Sequence, residues 1–422
     1  MVTIFIITIF VMLFLGFPIF LSLIISSSWY LSFVVGLPDI MALQRFIGGM
    51  NKFSLLAVPF FIVAATVMGQ GEIGKRLLHL VQVLLGHLYG GLAITATMTC
   101  MIIGAISGAG TAGIVTIGPL IYKDMLKQGY DAKFTGGLIT TSSSLAMLIP
   151  PSIAGIIYAM TTGVSVARIF IAGLGAGLLF GFVLMVYGYY YSRKTDVPRH
   201  ERSSLKEIIE ALKMSGWALG LPIIILGGIY TGVFSPTEAA GVSAVYAILV
   251  ELLIYKDITL KEVFDLMVKA GVTVSMLYMV LGAGNLLAYS MSISGLPAMM
   301  ASSFQGTSFI WIMLFMNLSF LIAGMFVDPA SAIIILIPLF LPLARIVGLD
   351  LIHLGVISIF NLSLGMLTPP FGLNLFVASN ILEIPIGKLI VACVPFIVMG
   401  LIVLMLLTFI PEISLFFPRL IM

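Results

Sequence analysis

The chain has 422 residues, 61% of them hydrophobic and only 9% charged, where an ordinary soluble domain carries about a quarter charged residues. Mean hydropathy is +1.22, and apolar runs of about 18 residues or more recur along the chain, each enough to cross a bilayer as a helix. This excludes a soluble globular domain. The runs lack the alternation of a membrane barrel, and a net charge of +3, carried mostly in loops, offers nucleic acid no patch. The expectation is an all-α polytopic membrane protein.

In chain order, "MVTIFIITIFVMLFLGFPIF" has no basic n-region and the first Lys or Arg is Arg45, so it reads as a retained first membrane helix, not a signal peptide. Residues 84–122 hold "IIGAISGAGTAGIVTIGPL", long and apolar with a small, kink-prone centre. A loop with Lys123, Lys127 and Lys133 follows, then crossings at 134–161 and 167–191. The longest polar stretch, residues 191–214, carries Arg193, Lys194, Arg199, Arg202, Lys206 and Lys213, and the positive-inside rule places it in the cytoplasm. Within it "SSLKEIIEALKM" predicts a short amphipathic helix capped by Ser203 or Ser204. Crossings then follow at 217–233, 236–254 and 264–290, and residues 306–345 hold "LIAGMFVDPASAIIILIPLF".

The two halves are related. A shift of 219 residues without a gap lays Pro119 on Pro338, Gly129 on Gly348, Asp131 on Asp350, Gly136 on Gly355, and Pro150–Pro151 on Pro369–Pro370. "GFPIFLSL" and "FSPTEAAG" match loosely at a shift of 218. The lysines after Pro119 have only Arg345 as counterpart after Pro338, which puts the matched loops on opposite sides of the membrane. The domains predicted are therefore a first inverted repeat over 1–192, a cytoplasmic connector over 193–216 and a second inverted repeat over 217–422, an arrangement common in secondary transporters. Crossing parity requires 84–122 and 306–345 to enter and leave on one side, as re-entrant hairpins whose tips, "SGAGT" and "VDPAS", meet near the midplane. Broken helices are expected at 134–161 and 354–378.

Proline removes a backbone donor and pushes its predecessor out of the helical region, so the pairs in "LIPPS" and "LTPPF" should each unwind about a turn. Freed carbonyls suit a hard cation, and the new half-helix N-terminus suits an anion. Hydroxyls and amides cluster there: Thr140 to Ser144 before the first break, Asn361, Ser363 and Thr368 before the second, Asn374 after it, with Gly365 allowing close approach. Neutral oxygens of this kind favour Na⁺; a soft metal would want Cys or His. Kinked packing helices with hydroxyl contacts are the plain alternative, but two breaks at matched positions favour a site. Asp328 is an intramembrane carboxylate and a functional candidate, though Asp-Pro is also a good helix start. Glu238, in "SPTEAAG", reads as an ordinary helix start. Cys100 and Cys393 read as core residues; His79, His87, His200 and His353 make no metal spacing, and there is no P-loop.

The stretches "ISGAGTAGIVTIGPL", "LIPPSI", "SPTEAAGVSAVYA" and the run from "VDPASAIIILIPLF" to "LTPPFGLNLFVAS" resemble the large membrane subunit of TRAP (tripartite ATP-independent periplasmic) transporters, the DctM-like family of the ion transporter superfamily, over essentially the whole chain. The resemblance implies a scaffold domain holding a transport domain that moves as an elevator. It implies Na⁺-coupled uptake of an organic acid (dicarboxylate, sugar acid or sialic acid) handed over by a periplasmic binding protein, with a small four-helix membrane subunit as a separate partner and no other cofactor. Carried over by motif at the two tips and completed by the residues of the broken helices, Ser107, Ser143, Ser152, Asp328 and Asn374 are candidate substrate ligands. Ser107, Gly108, Gly110, Thr111, Ser144, Pro150, Pro329, Ala330, Asn361, Gly365, Thr368 and Pro369 are candidate Na⁺ ligands. The implied location is a bacterial or archaeal inner membrane with both termini outside. A stand-alone Na⁺/dicarboxylate symporter is the alternative within transport. An intramembrane protease is disfavoured, since Asp328 has no second carboxylate or His-rich partner motif.

Overall fold

The computed structural model describes residues 2–199 and 201–421; His200 lies outside them. Among the described residues every regular element is helical. The first half runs α1 (Val2–Phe14), α2 (Ile19–Val35), α3 (Asp39–Met50), α4 (Ala57–Gln70), α5 (Ile73–Leu85), α6 (Gly91–Ser107), α7 (Ala112–Thr116), α8 (Gly118–Lys127), α9 (Ala132–Ser144), α10 (Ile153–Thr162) and α11 (Val166–Lys194). The second runs α12 (Leu205–Tyr230), α13 (Pro236–Tyr255), α14 (Leu260–Ser294), α15 (Leu296–Ser303), α16 (Phe309–Phe326), α17 (Pro329–Ile346), α18 (Leu351–Gly365), α19 (Leu373–Ile381), α20 (Ile386–Phe409) and α21 (Pro411–Ile421). Among the described residues, seven helices are long and apolar enough to cross a membrane, or eight if α4 and α5, bent by 68° at their junction, form one span.

The sequence repeat has a structural cause at each matched residue. Gly129 and Gly348 take φ of +95° and +63°, the left-handed turn that glycine adopts without penalty. Two residues on, Asp131 accepts from the N–H groups of Lys133 and Phe134, and Asp350 from those of Ile352 and His353. These carboxylates satisfy the orphan donors that open α9 and α18. Both helices then run into a proline pair at the same distance from the cap, and the Pro150–Pro151 and Pro369–Pro370 bonds are both cis. α2 and α13 also correspond: each ends in a π-helical turn, Tyr30–Val35 and Val250–Tyr255.

The halves interlock by exchange. α10 packs on α17, and α19 on α7; α20 lies along α9, and α11 along α18. Gly136 and Gly355 are the contact points. A Cβ on Gly136 would stand 2.7 Å from Ile384, and one on Gly355 2.6 Å from the Tyr158 ring. An outer layer lies against them: α14 packs on α2, α3 and α4, α13 on α4, and α12 on α5, and the layer meets the interlocked helices where α14 packs on α17 and α5 on α6.

Two sequence expectations need correction. The lysines after Pro119 do not all lie in a loop, because α8 continues through Lys127; Pro119 sits at its second position, where no intrahelical donor is required. Nor is the connector helix short. Ser204 caps it in a box with Glu207, but it continues to Tyr230, since Pro222 causes only a π-helical turn.

A buried carboxylate holds the α4–α5 bend. Glu251, fully buried in the π turn of α13, accepts from the N–H groups of Glu72 (3.1 Å) and Ile73 (3.0 Å), capping α5 from another helix. Gly71 leaves the space: a Cβ there would lie 2.2 Å from Glu251 Oε1. Glu251→Ala should expose two unpaired donors and destabilise the purified protein by on the order of 1–3 kcal/mol, read as a lowered Tm in detergent; an unchanged Tm would remove the capping role.

Candidate functional site: two tips and two breaks around one cavity

The first tip is a change of direction that only glycine permits. α6 ends at Ser107, and Gly108 turns the chain at φ +62° with its N–H on Gly104 O. A Cβ at Gly108 would stand 2.4 Å from the carbonyl oxygen of Pro151, so the tip rests on the first break. The hydroxyl of Ser143 donates to Gly110 O (2.8 Å) and accepts from Ile114 N–H (3.1 Å), closing the tip from behind. Gly110 O accepts a second bond, from Asn374 Nδ2 at 3.0 Å. One carbonyl thus joins the first tip to the broken helices of both repeats.

The second tip is simpler. Val327 is extended, and Asp328 caps α17 by accepting from the Ser331 N–H (3.0 Å) and hydroxyl (2.5 Å), with Pro329 at the first helical position. The breaks are tied in as well. Ser152 accepts from Gly155 N–H and donates to Met147 O; Gly372 N–H donates to Met325 O, and Asn374 N–H to Met366 O. Close crossings hold the arms of the hairpins to the breaks. A Cβ on Gly104 would lie 2.5 Å from Ala146 Cα, and one on Gly365 2.5 Å from Gly324 Cα.

Between these tips and the outer layer lies a cavity of about 730 Å³. Ser107 to Ala112, Asp328 to Ala330, and residues flanking both breaks (Met147, Ile153, Met366, Leu373) form one side. The facing wall is α4, with Thr66 and Gln70, and α14, with Lys269, Thr273 and Leu277. Further along α14 the gap closes: a Cβ on Gly284 would fall 1.6 Å from Ile334 Cγ2, so α17 is seated directly in the notch that this glycine leaves.

Of the sequence candidates, Ser107, Gly108, Gly110, Thr111, Asp328, Pro329 and Ala330 line the cavity. The others lie behind it. Ser143 and Ser152 are occupied by backbone of the tip and break; Ser144 and Thr368 donate to carbonyls of their own helices. Pro150 is buried, whereas Pro369 is exposed, and Gly365 serves the Gly324 crossing. Asn361 donates to Asn317 Oδ1 and Ile357 O. Among the described residues, Asn361 Oδ1, Asn374 Oδ1 and Thr141 Oγ1 are buried without a partner. Glu238 belongs to a capping box with Ser235. The sequence reading missed the whole facing wall. Thr66 and Gln70, four apart on one helix, and Lys269, the last charge before the long uncharged run of α14, were the signals available.

An interlocked duplication with broken helices, enclosing a cavity against an outer helical layer, defines a multi-pass membrane transporter. The model of the "Tripartite ATP-independent periplasmic transporter, DctM component" family matches residues 6–413. The chain is similar to the C4-dicarboxylate TRAP transporter large permease protein DctM of Pseudomonas aeruginosa, at 39% identity over 87% of each chain. It is also similar to the ectoine/5-hydroxyectoine large permease UehC of Ruegeria pomeroyi, at 37% identity over 97% of this chain and 96% of that one. Among solved structures, Neisseria gonorrhoeae MtrF shares the fold, with TM-score 0.61 at 11% identity over 87% of this chain and 82% of that one. The chain belongs to the DctM family of TRAP transporter large permeases, a family of transport proteins and not of enzymes.

Ser143→Ala leaves Ile114 N–H unpaired and Gly110 O with one donor. It should cost on the order of 1–3 kcal/mol, visible as a lowered Tm, whereas Ser144→Ala, which removes only a bond within its own helix, should change Tm little.

Proposed function

We propose that this chain is the permease of a Na⁺-coupled uptake system for an organic solute with an acidic group, handed over by a periplasmic binding protein and assisted by a small four-helix membrane subunit in an inner membrane. The observation that carries this reading is the cavity itself: the first tip and both broken helices, bonded through Gly110 O, and the second hairpin, bonded to the second break through Met325 O, face a wall formed by other helices. A body so tied together moves as a unit, against a wall whose helices α4 and α14 share none of its hydrogen bonds among the described residues, in the manner of an elevator. The names of the relatives, a C4-dicarboxylate permease and an ectoine permease, support an acidic or zwitterionic solute.

Na⁺ is cargo in this scheme. The buried, partnerless carbonyl oxygens of Asn374 and Asn361 and the hydroxyl of Thr141 are neutral oxygen donors that fit a hard monovalent cation. Asn374 adjoins the first tip through Gly110 O. A cation held there would offset the charge of an anion that would be costly to carry alone through low dielectric. The solute meets Ser107, Thr111 and the capping carboxylate of Asp328, which suits hydroxyls or an amine on the solute.

The cavity's far wall reaches back to Leu266 and Lys269, close to the lysine-bearing segment that starts α14, while Gly284 and Ile334 seal the opposite end. By the positive-inside rule this is the arrangement open to the cytoplasm, with both termini outside.

Proteoliposomes holding the chain, its small partner and a cognate binding protein should accumulate solute under an inward Na⁺ gradient. Equal accumulation with K⁺ in place of Na⁺, or uptake without a binding protein, would contradict the reading. Gly284→Leu overfills the notch at Ile334, a penalty of about 1–3 kcal/mol on this arrangement alone, which shifts its population by roughly 5- to 150-fold. A cysteine at Thr273 should then react more slowly with a water-soluble thiol reagent applied from the cytoplasmic side; unchanged reactivity would refute the assigned state.

A further inference from the structure

The cavity carries opposite charges on opposite walls, and only one of them is free. Asp328 directs both carboxylate oxygens at Ser331, its helix-capping partner. Lys269 is the one cationic side chain among the lining residues described, and among the described residues no carboxylate forms a salt bridge with it. Its position is not a consequence of an all-polar helix. Leu266, Lys269, Thr273, Met276 and Val280 recur at three and four residues along the cavity face of α14, whereas Met267 and Val268 beside it are exposed apolar side chains of the neighbouring face. A lysine inside an apolar span is expensive unless it reaches water or an anion, and the side chain is exposed here.

We propose that Lys269 receives the acidic group of the transported solute on the stationary wall, and that it does so only while the cavity is open as in this structure. The inference rests on the transport reading above. In the transport reading the tips travel with the solute while α14 stays with α2, α3 and α4; α14 also packs on α17, at the Gly284–Ile334 notch among other places, but among the described residues no hydrogen bond joins the two helices. A cation fixed to α14 is therefore within reach in one arrangement and left behind in the other. It raises affinity on the cytoplasmic side alone, and draws the anion out of the tips toward the exit. Residues on the tips, by contrast, act in both arrangements.

The test is exchange in proteoliposomes containing the chain and its small partner, with half-saturation measured separately for solute inside and for solute delivered outside by a binding protein. Succinate, ectoine, isethionate and gluconate serve as probes. Lys269→Gln should raise the internal half-saturation concentration by about fivefold and leave the external one unchanged, and Lys269→Arg should stay near wild type. Lys269→Cys should behave as Lys269→Gln, recover when an aminoethyl thiol reagent restores the positive charge, and not recover with a sulfonatoethyl reagent. Equal shifts on both sides, or recovery with either reagent, would show a packing role and overturn the proposal. Wild-type exchange that Lys269→Gln leaves intact would overturn it while sparing the transport reading. Wild-type protein that exchanges no probe would overturn both.

Discussion

Non-helical backbone inside a bilayer has no water to satisfy it, and the structure follows from how this chain meets that requirement. Two tips and two breaks leave carbonyls and N–H groups without helical partners. Several are met across or within these segments: Gly110 O by Ser143 and Asn374, Gly372 N–H by Met325 O, and Met147 O by Ser152. The first tip could not leave either broken helix, nor the second break the second hairpin, without stranding a donor or acceptor. The cohesion that the proposed joint movement of tips and breaks requires is thus the same set of bonds that makes them tolerable in the membrane.

Glycine does the complementary work. At Gly104, Gly324 and Gly365 it lets helices meet at backbone distance, and at Gly108 it lets the first tip rest on a carbonyl of the first break. Within the body that is proposed to move, these contacts are combined with hydrogen bonds. At Gly284 the notch receives Ile334 by shape alone. Packing without hydrogen bonds can separate and re-form elsewhere at lower cost than a bonded seam, which suits the boundary between a moving body and a stationary wall.

Much of this was legible in the sequence because rare residues mark backbone events. Pro150–Pro151 and Pro369–Pro370 announced the breaks, and Gly129 with Asp131 and Gly348 with Asp350 announced matched turns and caps. The tips were legible from "SGAGT" and "VDPAS". Which tip or break residue faces the cavity was not, since proximity along the chain does not set direction: Ser107 faces it, while Ser143, an equally good ligand by type, is turned onto the tip backbone. The facing wall was the largest omission. Thr66, Gln70 and Thr273 are ordinary in membrane helices, and Lys269 resembles the juxtamembrane lysines that precede it. Glu251 was passed over for the opposite reason. It sits near a charged loop, and only the fold reveals that it is buried as a cap for α5.

The central claim is that tips and breaks form one body that shifts against the α4–α14 wall. Pulsed electron spin distance measurements on labels at the exposed Lys127 and Glu383, both in that body, and at Lys127 and Lys206, across the boundary, test it directly. With and without Na⁺ and solute, the first distance should stay fixed and the second should fall into two populations. A split first distance with a fixed second would contradict the account, because the tips and breaks would then be separating from each other and not from the wall.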